Sequence, residues 1–317
     1  MPVKVSGRLK HMGESQMGDK KRQAGKRYFT SELFYHGMIL PGMIFVLLFN
    51  FVPMFGIVMA FQDYKPAKGF FGSAFVGMKH FKYLFEIPDG FQIFRNTLVI
   101  ALGKIVLGTI MAIIFSILLN EIRVKWMKKS IQTIVYLPHF LSWVVLAAAI
   151  KSLFGLDGFV NAIFGTNLNF MGSNTLFQPL LIGTDVWKEF GYNSVVFLAA
   201  LTSIDPGLYE AAEIDGANWW QRVFHVTLPG MQSVIFLMTA MAMGNILNAG
   251  FDQVYNLYSA SVYETGDIID TYVYRVGLNS MQYSFGTAIG LMKSVIAFIL
   301  MMSANALAKK FTDSKIF

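Results

Sequence analysis

The sequence predicts an all-α integral membrane protein with six transmembrane helices. Hydrophobic residues make up 55% of the 317 residues and the mean hydropathy is +0.50, which is too apolar for an ordinary soluble domain. Six segments hold the roughly 20 mainly apolar residues that a helix needs to cross a hydrocarbon core of about 30 Å. No alternating pattern persists between them, so a β-barrel is not expected. Because unpaired backbone groups are not tolerated in lipid, each segment is predicted to be helical.

These apolar segments define a membrane domain over residues 33–307. A basic N-terminal arm, residues 1–32, precedes it, and a short tail, residues 308–317, follows it. The first apolar run starts only after about thirty polar residues, so a cleavable signal peptide is not expected. The predicted spans are Leu33–Phe61, Phe91–Leu119, Ile131–Leu153, Gln178–Leu201, Pro229–Gly250 and Phe285–Leu307.

Lysine and arginine set the expected orientation. They are concentrated in the arm, in the loop between the second and third spans and in the tail, so the positive-inside rule places both termini in the cytoplasm. The loop between the fifth and sixth spans carries four acids against Arg275, as expected of an outer loop. The first outer loop departs from this rule, because Lys65, Lys68, Lys79 and Lys82 give it a mildly basic balance.

Composition and motif content argue against several function classes. The chain has no cysteine, so a disulfide framework, a thiolate metal site and a cysteine nucleophile are excluded. The five histidines are scattered without metal-ligand spacing, and we predict no metal site, no catalytic residue and no enzymatic activity. The net charge of +7 is mostly a topology signal, and a nucleic-acid partner is not expected.

An acidic helical hairpin is predicted between the fourth and fifth spans. Asp205 is a suitable N-cap, Pro206 suits the first helical position, and Gly216 can end this first helix. A second short helix is expected over Ala217–His225, with Pro229 closing it at the membrane. These features alone leave two alternatives open, a capped hairpin lying on the membrane or a docking handle for a soluble partner.

The hairpin sequence resembles the EAA motif of ABC-importer permeases. Glu210-Ala211-Ala212 is followed after three residues by Gly216, and after nine more by Val226-x-Leu228-Pro229. The one departure is Val226, where isoleucine is commoner. Phe75–Phe81 resembles the segment before the second span of carbohydrate permeases, and Asn96–Leu98 resembles its opening. The chain is thus similar to maltose-type inner-membrane subunits for oligosaccharides and polysaccharide fragments.

The resemblance implies a type I ABC-importer permease fold in the bacterial inner membrane, with the loop over residues 202–228 coupling to an ATPase. The implied partners are a second, different permease subunit, two cytoplasmic ABC ATPase subunits, an extracytoplasmic solute-binding protein and a carbohydrate substrate. The chain has no G-x-x-x-x-G-K-[ST] loop, so no cofactor is expected on it, and ATP and Mg belong to the ATPase subunits. The expected coupling residues are Glu210, Ala211, Ala212, Asp215, Gly216, Leu228 and Pro229.

Five charged residues deep inside the spans are the first candidates for a substrate path. They are Lys104 in the second span, Asp185, Lys188 and Glu189 in the fourth, and Lys293 in the sixth. A bare charge at the bilayer centre costs about 3 kcal/mol on insertion scales, so all five should face the bundle interior. Two interpretations stay open: the charges form internal ion pairs that join helices, or the lysines attract an acidic sugar such as a uronate.

Amide and aromatic side chains are the second group of candidates. Asn245 and Asn248 share a face near the outer end of the fifth span, and Trp187, Tyr192 and Asn193 form a mixed surface in the fourth. Amides bind sugar hydroxyls or neighbouring helices, and aromatic rings stack on sugars or lie at the membrane interface. Both interpretations stay open for each group.

The sequence therefore predicts the permease subunit of an ATP-driven importer that translocates oligosaccharides by alternating access, with uronate-containing sugars as one alternative. A gradient-driven secondary transporter is a rival from another class, although the chain has no inverted repeat. A membrane scaffold or sensor that recruits a soluble partner is the second rival.

Overall fold

A computed structural model describes residues 34–311, with side chains at all positions except 304, 305 and 307–311. The predicted basic arm and the end of the predicted tail lie outside the described residues. The described chain divides into two compact units, one up to Val58 and one from Met59 onward.

The first predicted span forms helix α1, Phe34–Phe61. Its backbone widens to a π-turn at Leu47–Phe51, which ends two residues before Pro53, a residue with no N–H to donate. The large apolar side chains of the first unit are exposed within it, as expected of a helix that faces lipid or another protein.

Membrane-spanning helices make up most of the second unit. Over residues 34–311, five helices are long and apolar enough to cross a membrane. The fourth predicted span, which forms the helix Phe177–Thr202, passes this criterion only together with Pro206–Ile214, from which it is bent by 71°. The three charged residues inside Phe177–Thr202 explain the difference. The short helix after the bend is the first helix of the predicted hairpin.

The third predicted span is wrong as one continuous helix. The chain forms an amphipathic helix, Lys125–Tyr136, then a 3₁₀ turn, Leu137–Phe140, and then a new helix from Trp143. Pro138 causes the break, because proline removes a helical donor and disfavours helical backbone at the preceding residue. Ser142 then caps the new helix by accepting from the Val145 amide at 3.4 Å. The candidate span in this region is Trp143–Phe164.

The expected helix end at Pro229 is also wrong. One helix runs from Trp219 to Gly244, and its backbone widens to a π-turn at Val223–Thr227. The Leu228 amide donates to the carbonyl of Val223, five residues earlier, so the hydrogen-bond register has shifted before the proline is reached. The helix stops at Gly244 rather than Gly250, which leaves Asn245 as its C-cap.

The second unit is organised around the packing of two long helices, Gly90–Glu121 and Phe177–Thr202. Buried Ile100 and Leu181 belong to the larger hydrophobic core, whereas Ala112, Phe197 and Met231 belong to a second cluster. The helical elements are α1 Phe34–Phe61, α2 Gly69–Gly72, α3 Lys79–Glu86, α4 Gly90–Glu121, α5 Lys125–Tyr136, α6 Trp143–Phe154, α7 Phe159–Phe164, α8 Phe177–Thr202, α9 Pro206–Ile214, α10 Trp219–Gly244, α11 Phe251–Leu257, α12 Tyr263–Gly266, α13 Ile269–Tyr272 and α14 Tyr283–Phe311. Strands β1, Gln62–Asp63, and β2, Ala74–Phe75, pair antiparallel, with Gln62 opposite Phe75 and Asp63 opposite Ala74.

Helix α4 extends from one end of the membrane domain to the other. It has 32 residues, which corresponds to about 48 Å at 1.5 Å per residue. At its C-terminal end, Glu121 accepts a hydrogen bond from the Trp219 indole at 3.0 Å. Near its N-terminal end, Asn96 donates to the carbonyl of Glu264 at 2.9 Å. The hairpin and the segment between α11 and α13 therefore lie at opposite ends of the bundle.

Candidate functional site

A cavity of about 370 Å³ lies between helices α4, α8 and α10. Its walls are mixed, with apolar side chains such as Met238 and Met241 beside polar groups. Six of the ten residues predicted for a substrate path line it, namely Lys104, Asp185, Glu189, Asn193, Asn245 and Asn248. The structure thus brings together residues that are up to 144 positions apart in the sequence, from 104 to 248.

The Lys104 ammonium is fully occupied by protein acceptors. Its Nζ lies 3.1 Å from Asp185 Oδ1 and 2.7 Å from the carbonyl of Ala249, and it also donates to Gln253 Oε1. An ammonium has three donors, and the structure supplies three acceptors. These contacts correspond to the ion-pair interpretation, and in this conformation they leave no Lys104 donor for a sugar carboxylate.

Gln253, which the sequence analysis missed, connects this lysine to helix α8. The amide is fully buried, and its Nε2 donates to the Leu181 carbonyl and to Thr184 Oγ1, both at 2.8 Å. Lys104, Gln253 and Thr184 form a continuous polar network beside the cavity. A single glutamine in a short helix carries no periodic or charge signal, so only the fold reveals its role.

Glu189 lies at the centre of a second charge cluster. Its carboxylate accepts from Lys188 at 2.8 Å and lies 2.6 Å from His139 Nδ1. Lys188 is buried, donates to the His139 carbonyl at 2.8 Å and lies 5.5 Å from the centre of the Trp143 ring. His139, a further residue that the sequence analysis missed, joins the turn before α6 to helix α8.

Four predicted path residues lie away from the cavity walls. Lys188 is held in the cluster just described, and Tyr192 stacks on His139 with ring centres 3.9 Å apart. Trp187 lines a separate apolar groove of about 600 Å³ between α6 and α8. Lys293 pairs with Asp270 at 2.5 Å. A direct substrate contact for these four is therefore not supported by their positions, and the cavity residues remain the candidates.

Gly250 offers a test of the Lys104 network. Its φ is +95°, and a Cβ at this position would lie 2.8 Å from Lys104 Nζ. We expect Gly250→Ala to displace the Lys104 ammonium and to lower both thermal stability and uptake. The positive φ and the close approach to Lys104 Nζ both disfavour a side chain at this position. Gly108→Ala is the matched control, because Gly108 lines the same cavity and nothing lies within 4 Å of the position that its Cβ would take. Equal melting temperatures for the two variants would contradict this account.

The acidic hairpin forms a compact elbow, defined here as residues 205–222. Asp205 Oδ1 accepts from the Gly207 amide at 2.9 Å, and Gly216 adopts a φ of +75°, as predicted for the cap and for the helix end. Asn218 and Gln221 form a capping box that starts α10. The elbow is therefore specified locally by its own sequence.

The elbow is also fastened to the bundle. The Tyr209 hydroxyl lies 3.1 Å from Thr227 Oγ1, and the Trp219 indole donates to Glu121 of α4, whereas the Arg222–Glu213 pair links the two helices of the elbow itself. Glu210, Ala211, Asp215 and Gly216 are exposed, whereas Ala212 and Leu228 are half-buried. Ile214 is 86% exposed, which is unusual for so large an apolar side chain and suits a surface that a partner covers.

The segment between α10 and α14, at the opposite end of the bundle, is held by its own contacts. Arg275 pairs with the buried carboxylate of Asp267 and lies over the Tyr263 ring at 4.4 Å. Thr271 donates to Asp267 at 2.7 Å. Burial raises the pKa of Tyr258 to about 12, so its hydroxyl stays protonated at neutral pH.

The family model of binding-protein-dependent transport system inner membrane components matches residues 104–313, which include the elbow, helix α14 and every cavity-lining residue except Ala101. The chain belongs to this family. The permease is 43% identical over 285 residues to the polygalacturonan/rhamnogalacturonan transport system permease protein YteP of Bacillus subtilis, covering 88% of this chain and 89% of the relative. It is 39% identical over 285 residues to Protein LplB of the same organism, covering 88% and 90%.

Solved structures give the same result for the fold. The permease matches a chain of a bacterial ABC transporter involved in the import of the acidic polysaccharide alginate, with a TM-score of 0.82 and 34% identity over 89% of this chain and 97% of that chain. A second match, with a TM-score of 0.82 and 34% identity, covers 90% and 97%; it is to an alginate ABC transporter in complex with an alginate pentasaccharide-bound periplasmic protein.

These comparisons confirm the predicted resemblance and fold class, and the permease is a multi-pass inner-membrane protein. Family membership favours a binding-protein-dependent importer over the gradient-driven transporter and the scaffold. The direction in which the chain crosses the membrane stays a prediction, as do the roles of the coupling and path residues.

Proposed function

We propose that this permease is one of two membrane subunits of an ATP-driven importer that takes up acidic oligosaccharides. One observation carries the substrate class. The chain is more than 30% identical to two transporters whose names specify acidic polysaccharides, polygalacturonan/rhamnogalacturonan and alginate. Their repeating sugars include uronates, so fragments of a uronate-containing polysaccharide are the proposed cargo.

The elbow is the proposed contact with the ATPase. Its exposed acids and Ile214 offer charge and apolar area to a partner, and its bonds to α4 and α10 would transmit a displacement to the cavity. ATP and Mg bind to the partner ATPases and supply the energy, since nucleotide must favour one of two global states for the transporter to be driven. The elbow is then cytoplasmic, and the N-terminal end of α4 faces the exterior.

The cavity is the proposed half of a translocation path shared with the partner permease. The ion pairs of Lys104 and Glu189 leave its walls nearly neutral, and the amides of Asn193, Asn245 and Asn248 offer hydrogen bonds to sugar hydroxyls. Such a wall binds no sugar tightly, which suits a path in which cargo must be released on the other side. Delivery by an extracytoplasmic binding protein completes the cycle.

Reconstitution tests this function. The complete importer, with both permeases, the ATPase pair and the binding protein, is placed in proteoliposomes and given labelled tetragalacturonate or maltotetraose, which have the same length but differ in charge. We expect ATP-dependent and binding-protein-dependent uptake of tetragalacturonate. Preferential uptake of maltotetraose would overturn the substrate class, and uptake without nucleotide would support the gradient-driven alternative.

A further inference from the structure

The basic first loop, which topology does not explain, lines a second and larger cavity. Strand β1, helix α3 and the beginning of α14 enclose about 750 Å³, a volume within the range of about 300–1,000 Å³ of ligand sites. We propose that this outer pocket is an accessory binding site for uronate-containing oligosaccharides, separate from the central cavity. The inference rests on the proposed function, because it takes the same class of sugar as its ligand.

The walls of the outer pocket are fixed by hydrogen bonds between distant parts of the chain. The Tyr64 amide donates to Ser284 Oγ at 2.8 Å, which joins the end of β1 to the beginning of α14. His80 Nε2 lies 3.0 Å from the carbonyl of Gln62, which joins α3 to β1. The pocket is therefore preformed, and little ordering would be needed for a ligand to bind.

Two lysines at the pocket have ammonium groups that are not paired with acceptors in the described part of the protein. Lys79 and Lys82 are three residues apart, so they lie on one face of α3, and both are exposed at the pocket. Among the described residues, neither ammonium has an ion pair or a hydrogen bond to the protein. Lys104 and Lys293, by contrast, are held by acceptors of their own. The outer pocket therefore offers free cations to a carboxylate, whereas Lys104 and Lys293 do not.

The other lining groups favour a sugar over a purely anionic ligand. Tyr83 is 49% exposed and packs edge-on against Phe285, with ring centres 5.1 Å apart, which leaves ring surface for an apolar sugar face. Glu86 supplies an acceptor for hydroxyl groups, whereas Asp63 lies 3.7 Å from Lys65. A uronate oligosaccharide can place its carboxylates at the lysines and donate its many hydroxyl groups to Glu86, whereas a phosphate group or a carboxylate of an acidic protein surface has no such donors for Glu86.

The rim of the pocket contains the one non-glycine residue with positive φ among residues 34–311. Met281 has a φ of +57° and is 73% exposed. Left-handed backbone at a bulky residue costs free energy, and such residues cluster at binding sites. The pocket lies at the same end as Gly90, which begins α4, and so at the end opposite the elbow, where imported sugar first meets the transporter.

The test measures binding of tetragalacturonate to the complete importer without its binding protein, in nanodiscs of phosphatidylcholine. We expect wild-type protein to bind, and the Lys79→Gln/Lys82→Gln variant to bind about three- to tenfold more weakly, as for the loss of two exposed charge pairs. Added salt should weaken wild-type binding. Maltotetraose binding should not change. Lys68→Gln is the matched control, since Lys68 is exposed in the same loop but does not line the pocket.

Three outcomes would overturn the proposal. The first is equal binding by the double variant and the control. The second is unchanged sugar binding but weaker stimulation of ATPase activity by the binding protein, which would make the pocket a protein-docking surface. The third is that, in mixed-lipid nanodiscs, the double variant retains less phosphatidylglycerol than wild type while its sugar binding is unchanged, which would make the pocket a lipid site. Uptake of tetragalacturonate with saturating binding protein separates this result from the proposed function, because uptake persists if only the outer pocket fails.

Discussion

Gly216→Val is expected to abolish most ATP-driven uptake while leaving the membrane domain folded. Gly216 has a φ of +75° at the end of α9, where the Ala217 amide donates to the Ala212 carbonyl at 2.9 Å and closes the helix. Left-handed backbone costs an ordinary residue about 1–2 kcal/mol and a β-branched residue more, so the native elbow would be depopulated about tenfold or more. Initial uptake rate and ATPase activity stimulated by the binding protein are measured in proteoliposomes.

Two controls separate elbow geometry from general strain. Gly216→Asn keeps a residue that tolerates left-handed backbone and should retain most of the uptake. Gly69→Val introduces the same strain at a φ of +63° near the other end of the bundle, again with nothing within 4 Å, and should leave the ATPase stimulation unchanged. If the Gly216→Val variant takes up sugar as fast as wild type, the elbow does not couple ATP hydrolysis to sugar uptake.

Lys104→Met is expected to destabilise the permease strongly and to lower uptake of acidic and neutral sugars alike. The substitution leaves Asp185 and Gln253 without their shared partner inside the bundle. Removing one member of a buried pair typically costs about 3–5 kcal/mol, because the other charge stays uncompensated. The measurements are the melting temperature of the purified importer and its uptake of tetragalacturonate and maltotetraose.

The double variant Lys104→Met/Asp185→Leu distinguishes the two interpretations of this lysine. Replacing both charges by apolar groups is often nearly neutral for stability, so the double variant should recover most of the lost melting temperature. If Lys104 acts only through its ion pair, both sugars should recover together. Recovery of maltotetraose uptake alone would mean that the ammonium contacts the acidic cargo, and the role assigned to its three acceptors would be wrong.

The fold was predictable where local physics dominates. Apolar length predicted the membrane helices, and Asp205, Pro206 and Gly216 predicted the first helix of the elbow. The predictions at two prolines were wrong: a continuous helix was expected through Pro138 and a helix end at Pro229, and the structure has the reverse. The effect of a proline depends on whether the preceding helical turn can widen or a capping residue for a new helix is available. At Pro138 a 3₁₀ turn follows and Ser142 caps a new helix, whereas a π-turn precedes Pro229.

The residues that line the cavity could be predicted from the sequence, but their hydrogen-bond and ion-pair partners could not. Burial of a charge in lipid indicated that Lys104, Asp185 and Glu189 face inward, and all three line one cavity. Their partners Gln253 and His139 come from segments without a charge pattern, so only tertiary packing brings them within hydrogen-bond distance. Likewise, the basic first loop appeared only as a departure from the topology rule until the fold enclosed it in a pocket.

Cysteine crosslinking from the elbow tests the central claim most directly. The chain has no cysteine, so Ala211→Cys on the exposed side of α9 provides a single attachment point. In the complete importer, a short bifunctional reagent should join this position to an ATPase subunit, with a yield that changes between the nucleotide-free and ATP-bound states. Lys68→Cys, at the other end of the bundle, should give no such product. An Ala211→Cys product with the binding protein, or none with the ATPase in either state, would contradict the account.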